Sequence, residues 1–257
     1  MTEKEQNRKP NQSRFAACIK FLFACCLLTS SPTQSLYLEK MDTNALKNTK
    51  IAYYPGSFDP LHLGHTMVVE TVLDKNLADY VLVYALPESD TSKKRTPHNF
   101  RFAMLESIYK EHPKVLITKL TPAEMQEKFR PLFKEIEFSV VQGSDVINQY
   151  VNDATYDNLW MKGLPIRETK PEHANTSLGA IMAIPATRVI AFKREGGDLS
   201  YLGKTYKNLP ITILTPLSFA ELSSTKARSA VQKKENFSGV VPPEVLTIIH
   251  ENKLYSN

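Results

Sequence analysis

The sequence predicts an α/β protein built on a doubly wound parallel sheet with helices on both faces. Three observations carry that expectation. From residue 51 onward, short apolar runs of strand length alternate with amphipathic stretches of helical length, the order in which a parallel sheet is built. The first run, Ile51 to Tyr54, enters a turn composed of Pro55, Gly56, Ser57, Asp59 and Pro60, and a helical pattern opens at about Gly64. Finally, each loop that holds ligand-type side chains follows a predicted strand, where the crevice of such a sheet lies.

The elements can be justified in turn. Thr66 to Leu77 places Val68, Val69, Val72, Leu73 and Leu77 along one face, as a helix packed on a sheet requires. Asp79 to Leu86 reads as a buried strand that stops at Pro87, and the polar, unperiodic segment from Glu88 to Pro97 reads as a loop at the same strand end as His62. Phe100 to Tyr109 is predicted helical and Lys114 to Lys119 a strand. Thr121-Pro122-Ala123-Glu124 then opens a helix with capping-box spacing and proline in the first helical position. Phe138 to Gln142 is a strand running into Gly143-Ser144-Asp145 and a short helix, and Thr187 to Phe192 and Ile211 to Leu214 supply two more strands. Residues 161–186 form a long connection with an apolar patch from Leu178 to Ile184, read as a surface insertion or a contact between copies.

Composition bounds the function. The chain has 257 residues, 42% of them hydrophobic, enough for one substantial core. Its net charge of +5 is concentrated at the front, where residues 1–50 hold eight Lys or Arg against four Asp or Glu. The body is therefore close to neutral and gives no argument for nucleic-acid binding. Residues 1–48 read as a leader, disordered or resembling a signal or anchor, ahead of a domain at 49–257. The apolar run at 15–28 is broken by Lys20 and is too short to span a bilayer as a helix, which needs about 20 residues. Removal of residues 1–40 is expected to leave the fold intact. All three cysteines, Cys18, Cys25 and Cys26, fall in the leader, so the body has no thiol nucleophile and no disulfide. The expected compartment is the cytoplasm, with membrane association through 15–28 as the alternative, and a homo-oligomer is the expected assembly.

The chemistry-bearing residues cluster at two places. A strand, loop and helix start direct backbone N–H groups and a positive helix end at one point, which suits a phosphate. His62 and His65 sit there, three residues apart, with Gly64 between them to allow a ligand close to the backbone. Downstream, Ser223, Ser224 and Thr225 precede a helix and Arg228 lies one turn into it, so hydroxyls, N–H groups and a guanidinium converge. Asp145 is either a cap on its short helix or a ligand group, and Lys93 to Arg95 either a solvated charge run or a phosphate-binding loop.

The string Gly56-Ser-Phe-Asp-Pro-Leu-His62-Leu-Gly-His65 resembles the signature of the nucleotidyltransferase superfamily, whose members join a phosphorylated small molecule to a nucleoside monophosphate from ATP or CTP. Leu222-Ser-Ser-Thr-Lys-Ala-Arg228 resembles that superfamily's Ser-Ser-Thr-x-x-Arg motif. Further segments resemble the nicotinamide or nicotinic acid mononucleotide adenylyltransferases: Gln142-Gly-Ser-Asp145-Val, Asn158-Leu-Trp160, Lys193-Arg-Glu-Gly-Gly-Asp198, Ser89 to Arg95, and the tail from Val241 to Tyr255.

The resemblance implies a Rossmann-like fold and transfer of AMP from ATP to a pyridine mononucleotide, with release of pyrophosphate, in NAD biosynthesis. It implies that His62, His65 and Arg228 are catalytic. ATP would be held by Gly56, Ser57, Phe58, His62, His65, Lys94, Gly143, Asp145, Ser223, Ser224, Thr225 and Arg228. The mononucleotide would meet Ser57, Lys94, Trp160 and Arg194. Mg2+ would enter with ATP, bound mainly by phosphates and not by a protein metal site. The pattern is mixed, however. Asp59-Pro60 and His62-Leu-Gly-His65 are of bacterial type, the Asn-Leu-Trp and tail are animal-like, and Trp160 is the chain's single tryptophan. The choice of amide or acid substrate stays open on these residues, as do a pantetheine-phosphate or cytidylyl transferase and a non-catalytic nucleotide-binding regulator.

Overall fold

In the computed structural model of the chain, the described residues are 37–86, 95–150, 184–193, 199, 205–206, 209–214, 222–237 and 239–256. They belong to one compact unit, Ser35–Asn257. Its described strands are β1 (Lys50–Gly56), β2 (Tyr80–Ala85), β3 (Val115–Ile117), β4 (Glu137–Gly143), β5 (Arg188–Phe192), β6 (Thr205–Tyr206) and β7 (Leu209–Leu214). They form one sheet in the order β3-β2-β1-β4-β5-β7-β6. Every pairing is parallel except the short β6–β7 pair. The chain steps outward from β1 to β3, then returns to the other side of β1 as β4. This reversal makes the carboxyl ends of β1 and β4 the switch point at which a doubly wound sheet opens its crevice.

Strand β1 explains why the sheet has two covered faces. Alternate side chains point to opposite sides, and every residue from Ile51 to Tyr54 is buried, so neither side meets water. Ala52 and Tyr54 enter one core, with Val81 and Val83 of β2. The helices α1 (Leu63–Asp74) and α2 (His98–Tyr109) cover that face. Ile51 and Tyr53 enter the other core, where Met125 and Phe129 of α3 (Pro122–Phe129) and Ile147 of α4 (Ser144–Tyr150) pack. The remaining helices, α5 (Ser224–Gln232) and α6 (Pro243–Glu251), join the first face through Ala227, Val245 and Ile249.

Several boundaries differ from the sequence reading. β1 runs two residues past Tyr54, through Pro55. Its pairing with β4 ends at Tyr53↔Val140, so the missing N–H of Pro55 breaks no ladder on that side. α1 begins at Leu63, one residue before the opening expected at about Gly64, and ends at Asp74, three residues before Leu77. The capping box at Thr121 forms as predicted: Glu124 N–H donates to Thr121 Oγ1 at 3.3 Å and Thr121 N–H to Glu124 Oε2 at 2.7 Å. β6, a two-residue strand, has no periodicity to betray it.

Residues 37–48, assigned by sequence to the leader, are part of the fold. Two turns of 3-10 helix, Leu38–Lys40 and Thr43–Leu46, bury Leu38 and Leu46 completely in the second core. Tyr37 bridges to Ile117 and its hydroxyl donates to Glu106, while Glu39 accepts the N–H of Lys119. Two isolated leucines in a polar stretch carry no period, which is why the segment reads as a linker. A truncation that keeps the fold must therefore stop short of Tyr37. The apolar run at 15–28 and the cysteines lie outside the described residues. No helix among the described residues is long and apolar enough to cross a membrane. Of the 161–186 connection only residues 184–186 are described, and Ile184 is buried in the second core.

Candidate active site

The loop after β1 is folded tightly on itself. Phe58 takes a left-handed backbone conformation, φ 47°, and turns its ring back beneath Gly56. A Cβ on Gly56 would lie 2.8 Å from the tip of that ring, and the ring is pinned edge-on against Tyr54 at 5.5 Å and His65 at 4.9 Å between centroids. Gly56 is thus required by its own chain. The Phe58 side chain is buried, so what it can offer a ligand is its backbone.

His62 is the N-cap of α1 and His65 its third residue. The two rings stack at 3.6 Å with 28° between planes, and both are nearly enclosed, at 3% and 4% exposure. The backbone N–H of His62 donates to Nδ1 of His65 at 3.2 Å. A backbone N–H can only donate, so Nδ1 accepts, and the proton of the neutral imidazole resides on Nε2. His65 is therefore fixed as an Nε2–H donor. Gly64 serves a purpose other than the one its sequence context suggests: an added Cβ would lie 2.9 Å from Cε1 and Nδ1 of His62, so the room is taken by the histidine ring itself.

The second cluster docks on this loop. Ser223 caps α5, its hydroxyl accepting Lys226 N–H at 3.1 Å. Ser224 Oγ donates to the carbonyl of Pro60 at 3.0 Å. Arg228 donates through NH1 to the carbonyl of Asp59 at 2.6 Å and through NH2 to Thr225 Oγ1 at 3.3 Å. Leu63 N–H donates to the carbonyl of Val240 at 2.9 Å, which adds the tail to the same place. The N-termini of α1 and α5 are thereby tied to one loop, and both present donors there.

The other predicted residues distribute as follows. Ser57 is half-buried, with its hydroxyl accepting Arg95 Nε at 3.0 Å. Gly143 ends β4, next to β1, and Asp145 is exposed in the first turn of α4. Lys94, Trp160 and Arg194 lie outside the described residues. Sequence reasoning missed the supports of the loop. Arg101 is fully buried (0% exposed), its NH1 on the Ser57 carbonyl at 2.9 Å and its Nε on the Thr96 carbonyl at 2.7 Å. Asp59 and Tyr255 were also missed. The one available signal for Arg101 was its spacing from Met104 and Leu105, which puts it on an apolar helix face where a charge needs partners.

The cytidylyltransferase-like family matches residues 53–229, from the first strand through the Ser-Ser-Thr helix. The chain belongs to that family. Among its relatives, a protein of Coprothermobacter proteolyticus named "Probable nicotinate-nucleotide adenylyltransferase" is 27% identical, over 82% of this chain and 97% of the relative. One of Fusobacterium nucleatum with the same name is 28% identical, over 79% and 97%. A solved structure of Plasmodium falciparum nicotinic acid mononucleotide adenylyltransferase complexed with NaAD superposes with a TM-score of 0.58 at 18% identity, covering 80% of this chain and 97% of that one. This cytidylyltransferase-like chain thus has the adenylyltransferase fold along almost the whole length of its neighbour.

Proposed function

We propose that this chain transfers the adenylyl group of ATP to nicotinic acid mononucleotide, releasing pyrophosphate, as a step in NAD biosynthesis. The observation that carries the reading is the joining of the two motifs. Ser224 and Arg228 are bonded to the same loop that sets the histidine pair, in a chain that matches nearly the full length of two relatives bearing one activity's name. The acid is favoured over the amide because those relatives are named for nicotinate.

In this reaction a phosphate oxygen of the mononucleotide attacks the α-phosphorus of ATP. The new P–O bond forms as the bond to pyrophosphate breaks, and charge builds on phosphoryl oxygens. Positioning and fixed donors can supply the acceleration, so no protein nucleophile is needed. His65, held as an Nε2–H donor, and His62 would contact the ATP phosphates. The N-terminus of α5 would receive the β- and γ-phosphates, with Arg228 on the leaving pyrophosphate. Mg2+ would arrive as part of MgATP. Among the described residues no group of three or more His, Cys, Asp or Glu side chains could hold a metal ion. The cytoplasm, where ATP and phosphorylated metabolites are abundant, is the proposed compartment.

The test is a panel: purified protein with MgATP and either nicotinic acid mononucleotide, nicotinamide mononucleotide or 4′-phosphopantetheine, and with CTP replacing ATP. Formation of the deamido dinucleotide with equimolar pyrophosphate is expected, with kcat/KM highest for the acid. Faster turnover of phosphopantetheine or CTP would reassign the substrate, and ATP binding without any product would make the chain a nucleotide-binding regulator.

A further inference from the structure

Asp59 joins three parts of the chain that lie far apart in sequence. Its side chain is 5% exposed. Oδ2 accepts the N–H of Thr96 at 3.1 Å and Oδ1 accepts the hydroxyl of Tyr255 at 2.6 Å. Its backbone carbonyl is the acceptor that seats Arg228. A buried carboxylate is costly without donors, so these donors decide how the residue sits, and the carbonyl belongs to the same residue. Tyr255 is presented to it by a folded tail. α6 is anchored by Val245 and Ile249, and Leu254 N–H closes back on the Ile249 carbonyl at 3.0 Å. Burial first, and then the bond to Asp59, push the phenol well above its ordinary pKa, so it remains a donor throughout the neutral range.

Resting on the adenylyl-transfer reading, we propose that Tyr255 is a positioning residue for the reaction. Its hydroxyl orients Asp59, and through the Asp59 carbonyl it sets the Arg228 guanidinium against the loop that would hold the ATP phosphates. The tyrosine touches no substrate. Its effect should reach ATP through Arg228 and leave the mononucleotide alone.

The experiment is a cycle built on Tyr255→Phe, which keeps the ring and removes the hydroxyl. ATP affinity by calorimetry and the KM for ATP should each weaken by about 10-fold, the scale of one lost hydrogen bond to a charged group, while the KM for the mononucleotide stays within about twofold. In an Arg228→Ala background the same change should cost nothing further, because the path runs through that arginine. Leu46→Ala, which empties a site in the opposite core and touches neither the tail nor Asp59, should lower the melting temperature yet leave ATP affinity unchanged in the folded protein. Asp59→Asn, similar in volume, replaces Tyr255→Phe if the latter does not fold. Unchanged ATP affinity in Tyr255→Phe, a full additional loss in the Arg228→Ala background, or an equal loss in Leu46→Ala would each overturn the proposal. Calorimetry needs no acceptor, so a wild-type protein that binds ATP but forms no dinucleotide would sink the transfer reading while the ATP affinities still decide the role of Tyr255.

Discussion

Gly64 decides the geometry of the histidine pair, because the ring of His62 occupies the place where any side chain at that position would stand. Gly64→Ala should therefore separate activity from stability. Alanine in a helix is better than glycine by about 1 kcal/mol, which offsets part of the cost of moving the enclosed His62 ring, so melting temperature should change little, while the displaced ring should cut turnover by roughly 10². Full turnover in that variant would show that the ring can shift without consequence. His65→Ala should lower kcat by roughly 10² to 10³ with the fold kept, as expected for the loss of one oriented donor. At this scale the sequence marked the residues that the fold brings to one loop, since the histidines, serines and Arg228 lie in short motifs. It concealed how they are held. Arg101, Asp59 and Tyr255 act over distances in the chain that no local pattern records, and the apolar face around Arg101 says that it needs partners without naming them.

Individual elements were legible where side-chain period or turn chemistry was strong. The box at Thr121 is the clearest instance, and it makes a pH prediction. The N–H of Thr121 first, and its hydroxyl second, hold the Glu124 carboxyl below its ordinary pKa. A carboxyl lowered on folding adds stability above its unfolded value and loses it as pH falls through the folded one. Glu124→Ala, which removes the carboxylate that accepts both donors, should thus lower stability at neutral pH, measured by urea unfolding, and the difference from wild type should shrink in acid. A constant difference across that window would count against the box. Residues 37–48 show the opposite case, in which burial is invisible because two leucines make no period. Leu46→Ala should destabilise by about 2–5 kcal/mol, the cost of emptying a fully buried leucine site. A change under about 0.5 kcal/mol would mean that the segment only rests on the surface.

For the whole molecule, the alternation of strands and helices was enough to place the crevice, since a doubly wound sheet leaves little choice about where its loops gather. It could not give the order of strands, nor that the tail returns to the first loop. That return has a kinetic consequence. Asp59 is bonded to Arg228 across 169 residues and to Tyr255 across 196, so the loop after β1 cannot reach its final shape until pairings that span most of the chain have closed. Loop closure over such spans is entropically slow to win, and parallel strands already demand it. On dilution from denaturant, helical circular dichroism should recover first and ATP binding should follow as a distinct, later phase. The protein would pass through a state in which the sheet is complete and the site is still open.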